Sequence, residues 1–308
     1  MKYDYEVAII GAGAAGYSAA IYAGRSGATV AVFDKGMGGG LTTEAPLVEN
    51  YPGFKKIGGV ELMEKMKEHA SEYAEMHFGE EVTDVEVKED GVVLTTTRGK
   101  YNVGVAILCT GTEHRKLNVK GEKEFAGRGI SYCATCDGFF FKGKKVAMIG
   151  GGSSAVIEAI YLKQIGCDVV LVHRRDELRA EKALEDEAKE KGIKFIWNSV
   201  VEEIFGEEMV KGIKLKNVKT GETSILEVDG VFVSIGEEPQ NELAKKIGVE
   251  LDESGYIKID DVGRTNVERI FAAGDVTGGV RQIVTACAEG AKAALASMKV
   301  IGKRSPYM

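Results

Sequence analysis

A unit reading strand, glycine turn, helix, strand occupies residues 7–34, and the same unit returns 139 residues further on. In the first copy the apolar run Val7-Ala8-Ile9-Ile10 leads into Gly11-Ala12-Gly13-Ala14-Ala15-Gly16. An apolar helical pattern then passes through Ala19, Ala20 and Tyr22, and Thr29 to Phe33 forms the next strand. In the second copy Val146-Ala147-Met148-Ile149-Gly150 falls on Val7 to Gly11, and Gly150-Gly151-Gly152-Ser153-Ser154-Ala155 keeps the motif with Ala in the third place. Gly166 answers Gly27, and Val169 to Val172 answers Val30 to Phe33. Glycines at this spacing permit a tight turn, a close approach of backbone to a pyrophosphate and close packing of helix on strand, while the helix N-terminus attracts phosphate charge. One GxGxxG is a weak signal. Two, each between a buried-type strand and a helix, restrict the chain to an α/β fold with two Rossmann-like dinucleotide-binding domains.

The copies differ where the second strand ends. The first has Asp34, 18 residues after Gly16, where an acid binds a ribose hydroxyl. The second has His173-Arg174-Arg175, with Arg179 one helical turn beyond. An acid there repels a 2'-phosphate, whereas guanidinium groups bind it through charge-assisted hydrogen bonds. Copy one suits FAD or NAD and copy two NADP. Both copies close on a strand run and a glycine, Val103 to Gly111 and Val228 to Gly236. Between these landmarks the periodicity predicts an amphipathic helix near Val60 to Phe78 and strands from Val82 to Thr97, turned at Asp90-Gly91. The polar stretches Thr112 to Lys120 and Glu237 to Asn241 read as crossings between domains, so the second domain is inserted into a split first one. The expected boundaries are 1–114, 115–238 and 239–308.

Ahead of the second motif stands Cys133-Ala134-Thr135-Cys136-Asp137. A zinc site needs further ligands at similar spacing, and Cys109, Cys167 and Cys287 are scattered singly without paired histidines, so no metal is expected. A purely structural disulfide closing so short a loop restricts the unfolded chain little. A redox pair remains, with Asp137 as a proton donor or acceptor. A net charge of -7 gives no electrostatic reason to expect nucleic acid or an anionic membrane as partner. No run approaches the roughly 18 to 20 apolar residues of a membrane span. The N-terminal residues lead straight into the first strand without a signal-peptide pattern. With an odd cysteine count and a single close pair, a cytoplasmic protein is expected.

In order along essentially the whole chain, GAGAAG, CATCDG, GGGSSA, HRRDELRA and Phe271-Ala272-Ala273-Gly274-Asp275-Val276 closely resemble the low-molecular-weight thioredoxin reductases, FAD-dependent members of the pyridine nucleotide-disulfide oxidoreductases. The resemblance implies FAD in the split domain, NADPH in the inserted one, a homodimer, and thioredoxin or a glutaredoxin-like protein disulfide as partner. Carried over by position, Gly11, Gly13, Ala14, Ala15, Gly16, Asp34 and Lys35 would hold the ADP half of FAD. Gly39, Gly40, Leu41, Thr42, Asn50, Thr110, Gly111, Gly274, Asp275, Arg281, Gln282 and Ile283 would lie along the rest of that cofactor. Gly150, Gly152, Ser153, Ser154, His173, Arg174, Arg175 and Arg179 would bind NADPH. Cys136 would face the flavin, Cys133 would exchange with the partner and Asp137 would move the proton.

The implied activity runs from NADPH to FAD, then to the Cys133/Cys136 disulfide, then to the protein partner. A turn of the inserted domain on its crossings would alternate dithiol and nicotinamide at the flavin. Two departures stand out: Gly40 where many relatives carry glutamine, and Cys109-Thr110-Gly111 where Ala-Thr-Gly is usual. The first bears on flavin environment and donor preference, because some relatives replace NADPH with another reductant. The second is a small-for-small change whose thiol reads as packing. The rival readings are a flavin dithiol oxidase using oxygen and a non-catalytic nucleotide sensor. The arginine cluster speaks against the first and the paired sulfurs against the second.

Overall fold

A computed structural model describes residues 3–45 and 47–304. The chain enters through β1 (Tyr5–Ile10), turns through the glycine motif into α1 (Ala14–Arg25) and returns in β2 (Val30–Asp34). Then come α2 (Gly59–Ser71), β3 (Glu75–Phe78), β4 (Val82–Lys88), β5 (Gly91–Thr96) and β6 (Lys100–Leu108). The amphipathic helix therefore stops at Ser71, and the expectation that it reaches Phe78 is corrected. Glu75–Phe78 pairs parallel with β2, placing His77 opposite Phe33. The His77 ring stacks on Phe33 with centroids 4.6 Å apart and meets Tyr5 and Tyr101 edge-on. That long-range aromatic packing overrides the local helical pattern.

A first crossing, β7 (Thr112–His114), leads to β8 (Ile130–Ser131), α3 (Ala134–Asp137), β9 (Lys145–Gly150), α4 (Ser153–Gln164) and β10 (Asp168–Val172). Next are α5 (Lys182–Glu190), β11 (Lys194–Ile196), a meander of β12 (Ser199–Gly206), β13 (Val210–Asn217) and β14 (Thr223–Glu227), and β15 (Gly230–Ser234). The chain returns through β16 (Glu237–Pro239), which pairs with β7, to α6 (Glu242–Lys246), β17 (Ile270–Ala272) and α7 (Ile283–Val300). It divides into two compact units, Met1–Glu113 with Glu238–Met308, and His114–Glu237. Both are Rossmann-like, and the second is inserted into the first.

In the split unit the strand order is β3-β2-β1-β6-β5-β4, with β17 also on β6; β3, β2, β1, β6 and β17 are mutually parallel. In the inserted unit the order β11-β10-β9-β15-β8 is parallel throughout. The duplication holds at the level of register: Val7 lies between Val30 and Val105, and Val146 lies between Val169 and Gly230. Strands covered on both faces read as unbroken apolar runs, which is how Val7 to Ile10 and Val146 to Ile149 appear.

One core of the split unit lies where α1 and α7 cover the sheet, built on Ala19, Ala20, Ala23, Ala293 and Ala294 around Ile9, Val32 and Ile107. Small side chains let the two helices approach closely. A Cβ on Gly290 of α7 would collide with the carbonyl oxygen of Ala15 in α1. The inserted unit has its own cores around Met148, Leu162 and Phe232, and around Ile149, Ile213 and Val231.

Candidate active site

In the inserted unit Cys133 and Cys136 form a disulfide across the first turn of α3. Cys133 is the N-cap of that helix, and its sulfur accepts the Cys136 N–H at 3.2 Å. Ser131, buried at the end of β8, receives the Cys133 N–H at 3.1 Å and lies 3.2 Å from the Cys133 carbonyl oxygen. The strand therefore hands the first cysteine to the helix in a set position. Asp137 closes the turn. Burial pushes its carboxyl above the usual range, with a hydrogen bond from Ser131 acting the other way, and its Oδ1 is a buried atom without a hydrogen-bond partner. A carboxyl so placed keeps its proton to higher pH than a solvated one. Glu122 braces the approach from beneath: its carboxylate accepts the N–H groups of Leu117 and Asn118 at 2.7 and 2.6 Å and the Tyr132 hydroxyl at 2.8 Å.

The second glycine motif lies between β9 and α4 in the same unit. A Cβ on Gly150 would strike the Ser234 carbonyl, and one on Gly151 would strike the His173 ring. Gly152 opens to space, with only Arg179 Nη2 at 3.9 Å. The first turn of α4, with exposed Ser153 and Ser154, has no side-chain cap, so its N–H groups are free to meet an anion. The Arg179 N–H donates to the Gly151 carbonyl at 2.8 Å, which ties the loop after β10 to the glycine turn. Arg174, Arg175 and Arg179 are exposed. His173 differs from them. It is 6% exposed, its Nε2 is buried without a partner, and its ring lies edge-on to Trp197 at 6.4 Å. Burial, reinforced by the three guanidinium groups and opposed by a hydrogen bond with the Gly150 backbone, holds this ring below the ordinary histidine range. Its surroundings under the loop favour the neutral ring over the charged one.

The split unit repeats the arrangement. Gly11 has φ 107°, and a Cβ on Gly16 would collide with the Gly11 carbonyl, whereas Gly13 opens to space at the uncapped start of α1. Asp34 takes the Ala12 N–H on one carboxylate oxygen at 2.8 Å and the Gly36 N–H on the other at 2.7 Å, so its orientation is set by the motif itself. Gly39 donates to the Ala12 carbonyl at 2.7 Å, and Gly40, with φ 56°, would bring a Cβ to 3.5 Å from Gly13 Cα. These glycines thus lie against the first motif, as does Gly274, whose Cβ would lie 2.8 Å from that of Ala15. Asn50 Nδ2 donates to Gln282 Oε1 at 3.1 Å, joining two residues 232 apart, and Gln282 and Thr285 form a capping box at the start of α7 that leads into Ile283. The Thr110 hydroxyl donates to the Gln240 carbonyl at 2.6 Å and the Gly111 carbonyl accepts the Gln240 N–H at 3.0 Å. Lys35 is drawn to Glu113 at 3.2 Å, and Arg281 donates to the Tyr256 hydroxyl at 2.7 Å. Leu41 and Thr42 lie in the 3-10 turn Gly40–Glu44, and Asp275 opens another, Asp275–Thr277. Cys109 is buried, and burial, with Glu289 adding to it, raises its thiol far above the ordinary range, which makes it inert packing.

Three residues of this framework escape the sequence reading. Ser131 and Glu122 carry no local signal, whereas Glu289, one carboxylate in the small-residue run Ala286-Cys287-Ala288-Glu289-Gly290-Ala291, does. Among the described residues no His, Cys, Asp and Glu group is placed to hold a metal, and no helix is long and apolar enough to cross a membrane. The two open glycine turns, the uncapped helices behind them and the strand-end acid and arginines fit two dinucleotides.

Two dinucleotide-type units and a CxxC disulfide define a nucleotide-linked disulfide oxidoreductase. The comparisons agree. A family model described as pyridine nucleotide-disulphide oxidoreductase matches residues 5–290, and the chain belongs to that family. It is 45% identical over 304 residues to the thioredoxin reductase of Treponema pallidum, covering 98% of each chain. It is 44% identical over 301 residues to that of Listeria monocytogenes, covering 96% of this chain and 94% of the relative. The crystal structure of thioredoxin reductase from Streptococcus pyogenes superposes with a TM-score of 0.91 at 40% identity, covering 97% of this chain and 98% of that one.

Proposed function

We propose that this protein is an NADPH-dependent, FAD-containing thioredoxin-disulfide reductase, with thioredoxin or a glutaredoxin-like protein as its partner. The observation that carries the reading is the Cys133–Cys136 disulfide on a unit that also bears a glycine motif and exposed arginines at the adjoining strand end. Gly150, Gly152 and the α4 N-terminus would take the NADPH pyrophosphate, and Arg174, Arg175 and Arg179 its 2'-phosphate. Gly11, Gly13, Gly16 and the start of α1 would take the FAD pyrophosphate. Asp34, already oriented by two backbone amides, would accept from a ribose hydroxyl. Bound flavin would supply two-electron transfer between nicotinamide and disulfide.

The chain's own part is sulfur and proton chemistry. Breaking the Cys133–Cys136 bond with two electrons leaves two thiolates, and Asp137, whose carboxyl burial shifts upward so that it takes up a proton more readily than a solvated one, would protonate one of them. Cys133, at the N-cap, would then attack the partner's disulfide, releasing one partner thiolate and forming a mixed disulfide. Cys136 would displace the second partner sulfur from Cys133, restoring the intramolecular disulfide. The test is an assay of purified protein with FAD, NADPH and oxidised thioredoxin, counting new thiols against NADPH consumed. Two thiols per NADPH are expected, with loss of turnover in both Cys133→Ser and Cys136→Ser. Substantial disulfide reduction by either variant would remove the reading.

A further inference from the structure

One carboxylate in the split unit has no role in the chemistry above, yet it lies among the segments that would carry the flavin. Glu289 projects from α7. Its Oε2 accepts the Gly274 N–H at 2.8 Å and lies 3.2 Å from Thr277 Oγ1. The same Thr277 oxygen is 2.9 Å from the Gly274 carbonyl, so one hydroxyl and one carboxylate close the turn Gly274–Thr277 on itself. The turn needs such closure. Gly274 is buried with φ 81° and ψ -162°, outside helix and strand, and has no ladder partner for its N–H. A buried N–H without an acceptor is costly.

The turn has little room to move. A Cβ on Gly274 would lie 2.8 Å from that of Ala15 and 3.7 Å from that of Ala286, and Gly290, next to Glu289, admits no Cβ against the Ala15 carbonyl. The Ala273 N–H, just before the turn, donates to the Leu108 carbonyl at 3.0 Å, which places the turn at the carboxyl end of β6. Glu289 therefore joins α7 to the Gly274 turn, beside the start of α1 and the end of β6. That is the carboxyl edge of a parallel sheet, where open α/β folds bind ligands. Asp275 follows Gly274 directly and opens the 3-10 turn Asp275–Thr277, so the backbone that Glu289 holds at Gly274 is the backbone from which Asp275 projects.

The geometry points to Glu289 as a positioning residue for the flavin: through Gly274 it holds Asp275 where the cofactor is to be met, without touching the cofactor itself. This rests on the FAD assignment proposed above. An alternative in which Glu289 only stabilises the fold predicts a lower melting temperature with unchanged flavin affinity. The glutamine variant keeps an acceptor for Gly274 and Thr277 and should behave nearly as wild type. The alanine and aspartate variants, which remove or shorten the arm, should not.

Stripped of flavin, the wild type, Glu289→Ala, Glu289→Gln and Glu289→Asp are titrated with FAD by fluorescence quenching, with melting of each apoprotein and the visible band of bound flavin recorded in parallel. Glu289→Ala should raise the Kd for FAD at least about tenfold, roughly the loss of one hydrogen bond to a charged group. Glu289→Gln should stay within about threefold of wild type. Should Glu289→Ala fail to fold, Glu289→Asp decides, with a tenfold loss again expected. Wild-type affinity and an unshifted flavin band in the folded alanine or aspartate variant would overturn the inference. A wild-type apoprotein that takes up no FAD would instead remove the FAD assignment, and this inference with it.

Discussion

Asp137 offers two measurements that separate a proton donor from a turn residue. Its carboxyl is raised by burial, so the folded state holds the proton to higher pH than the unfolded chain. For a group shifted this way, stability falls as pH rises from the unfolded value through the folded one, and at neutral pH the ionised form weighs against folding. Asp137→Asn removes that charge and fills the turn equally well. The variant should therefore be no less stable than wild type in urea unfolding at pH 7. By the acid role proposed for it, however, its loss should slow flavin reoxidation by the Cys133–Cys136 disulfide by at least about tenfold, while reduction by NADPH stays near the wild-type rate. Stopped-flow traces with unchanged reoxidation would leave Asp137 a capping residue only.

At the scale of elements, β3 shows what holds a short strand against a helical sequence pattern. Glu80, 1% exposed and just past the strand, accepts the Thr96 hydroxyl at 2.5 Å and faces His77 Nδ1 at 3.1 Å, with Arg98 at 3.8 Å. Burial pushes its carboxyl upward, but hydrogen bonds from Thr96, His77 and Tyr101 outweigh it, and the net position is below the usual range. The sign is opposite to that of Asp137: this contribution is present above the unfolded value of about 4.3 and lost as pH falls through the folded value. Glu80→Ala should cost about 1–3 kcal/mol for each donor left without its acceptor. The stability gap between wild type and Glu80→Gln should narrow between pH 7 and pH 3. A gap of equal size at both pH values, measured by denaturant titration, would rule out the charged form as its source.

On the scale of the molecule, the inserted unit is one continuous stretch with cores made from its own residues, such as Met148, Leu171 and Phe232, and Ile149, Ile213 and Val231. Residues 114–237 should therefore fold alone and melt in a single cooperative transition. By the nucleotide assignment proposed here, the fragment should bind NADPH well ahead of NADH. Arg174→Ala/Arg175→Ala should erase most of that preference, since charge-assisted hydrogen bonds contribute about 1.5–3 kcal/mol each. Equal affinity of the wild-type fragment for both nucleotides, measured by calorimetry, would remove the assignment.

The duplicated strand-turn-helix, the acid and the arginines at the two strand ends and the CxxC were legible in the amino-acid order because each lies within a few turns of chain. A glycine needed against its own helix, or a cysteine pair bridged across one turn, is specified by near neighbours and admits few alternatives. What only the tertiary structure decided involves partners far apart in sequence. Asn50 meets Gln282, 232 residues away, and Glu289 reaches from α7 to Gly274, 15 residues back. His77 becomes a strand residue because Phe33 lies opposite it, although the local periodicity reads as helix. His173, beside arginines that remain exposed, is drawn under the loop by the space above Gly151 and the ring of Trp197. Side-chain spacing along the chain specifies local conformation, whereas the partner a buried polar or aromatic group finds is settled only when distant strands and helices close the core around it.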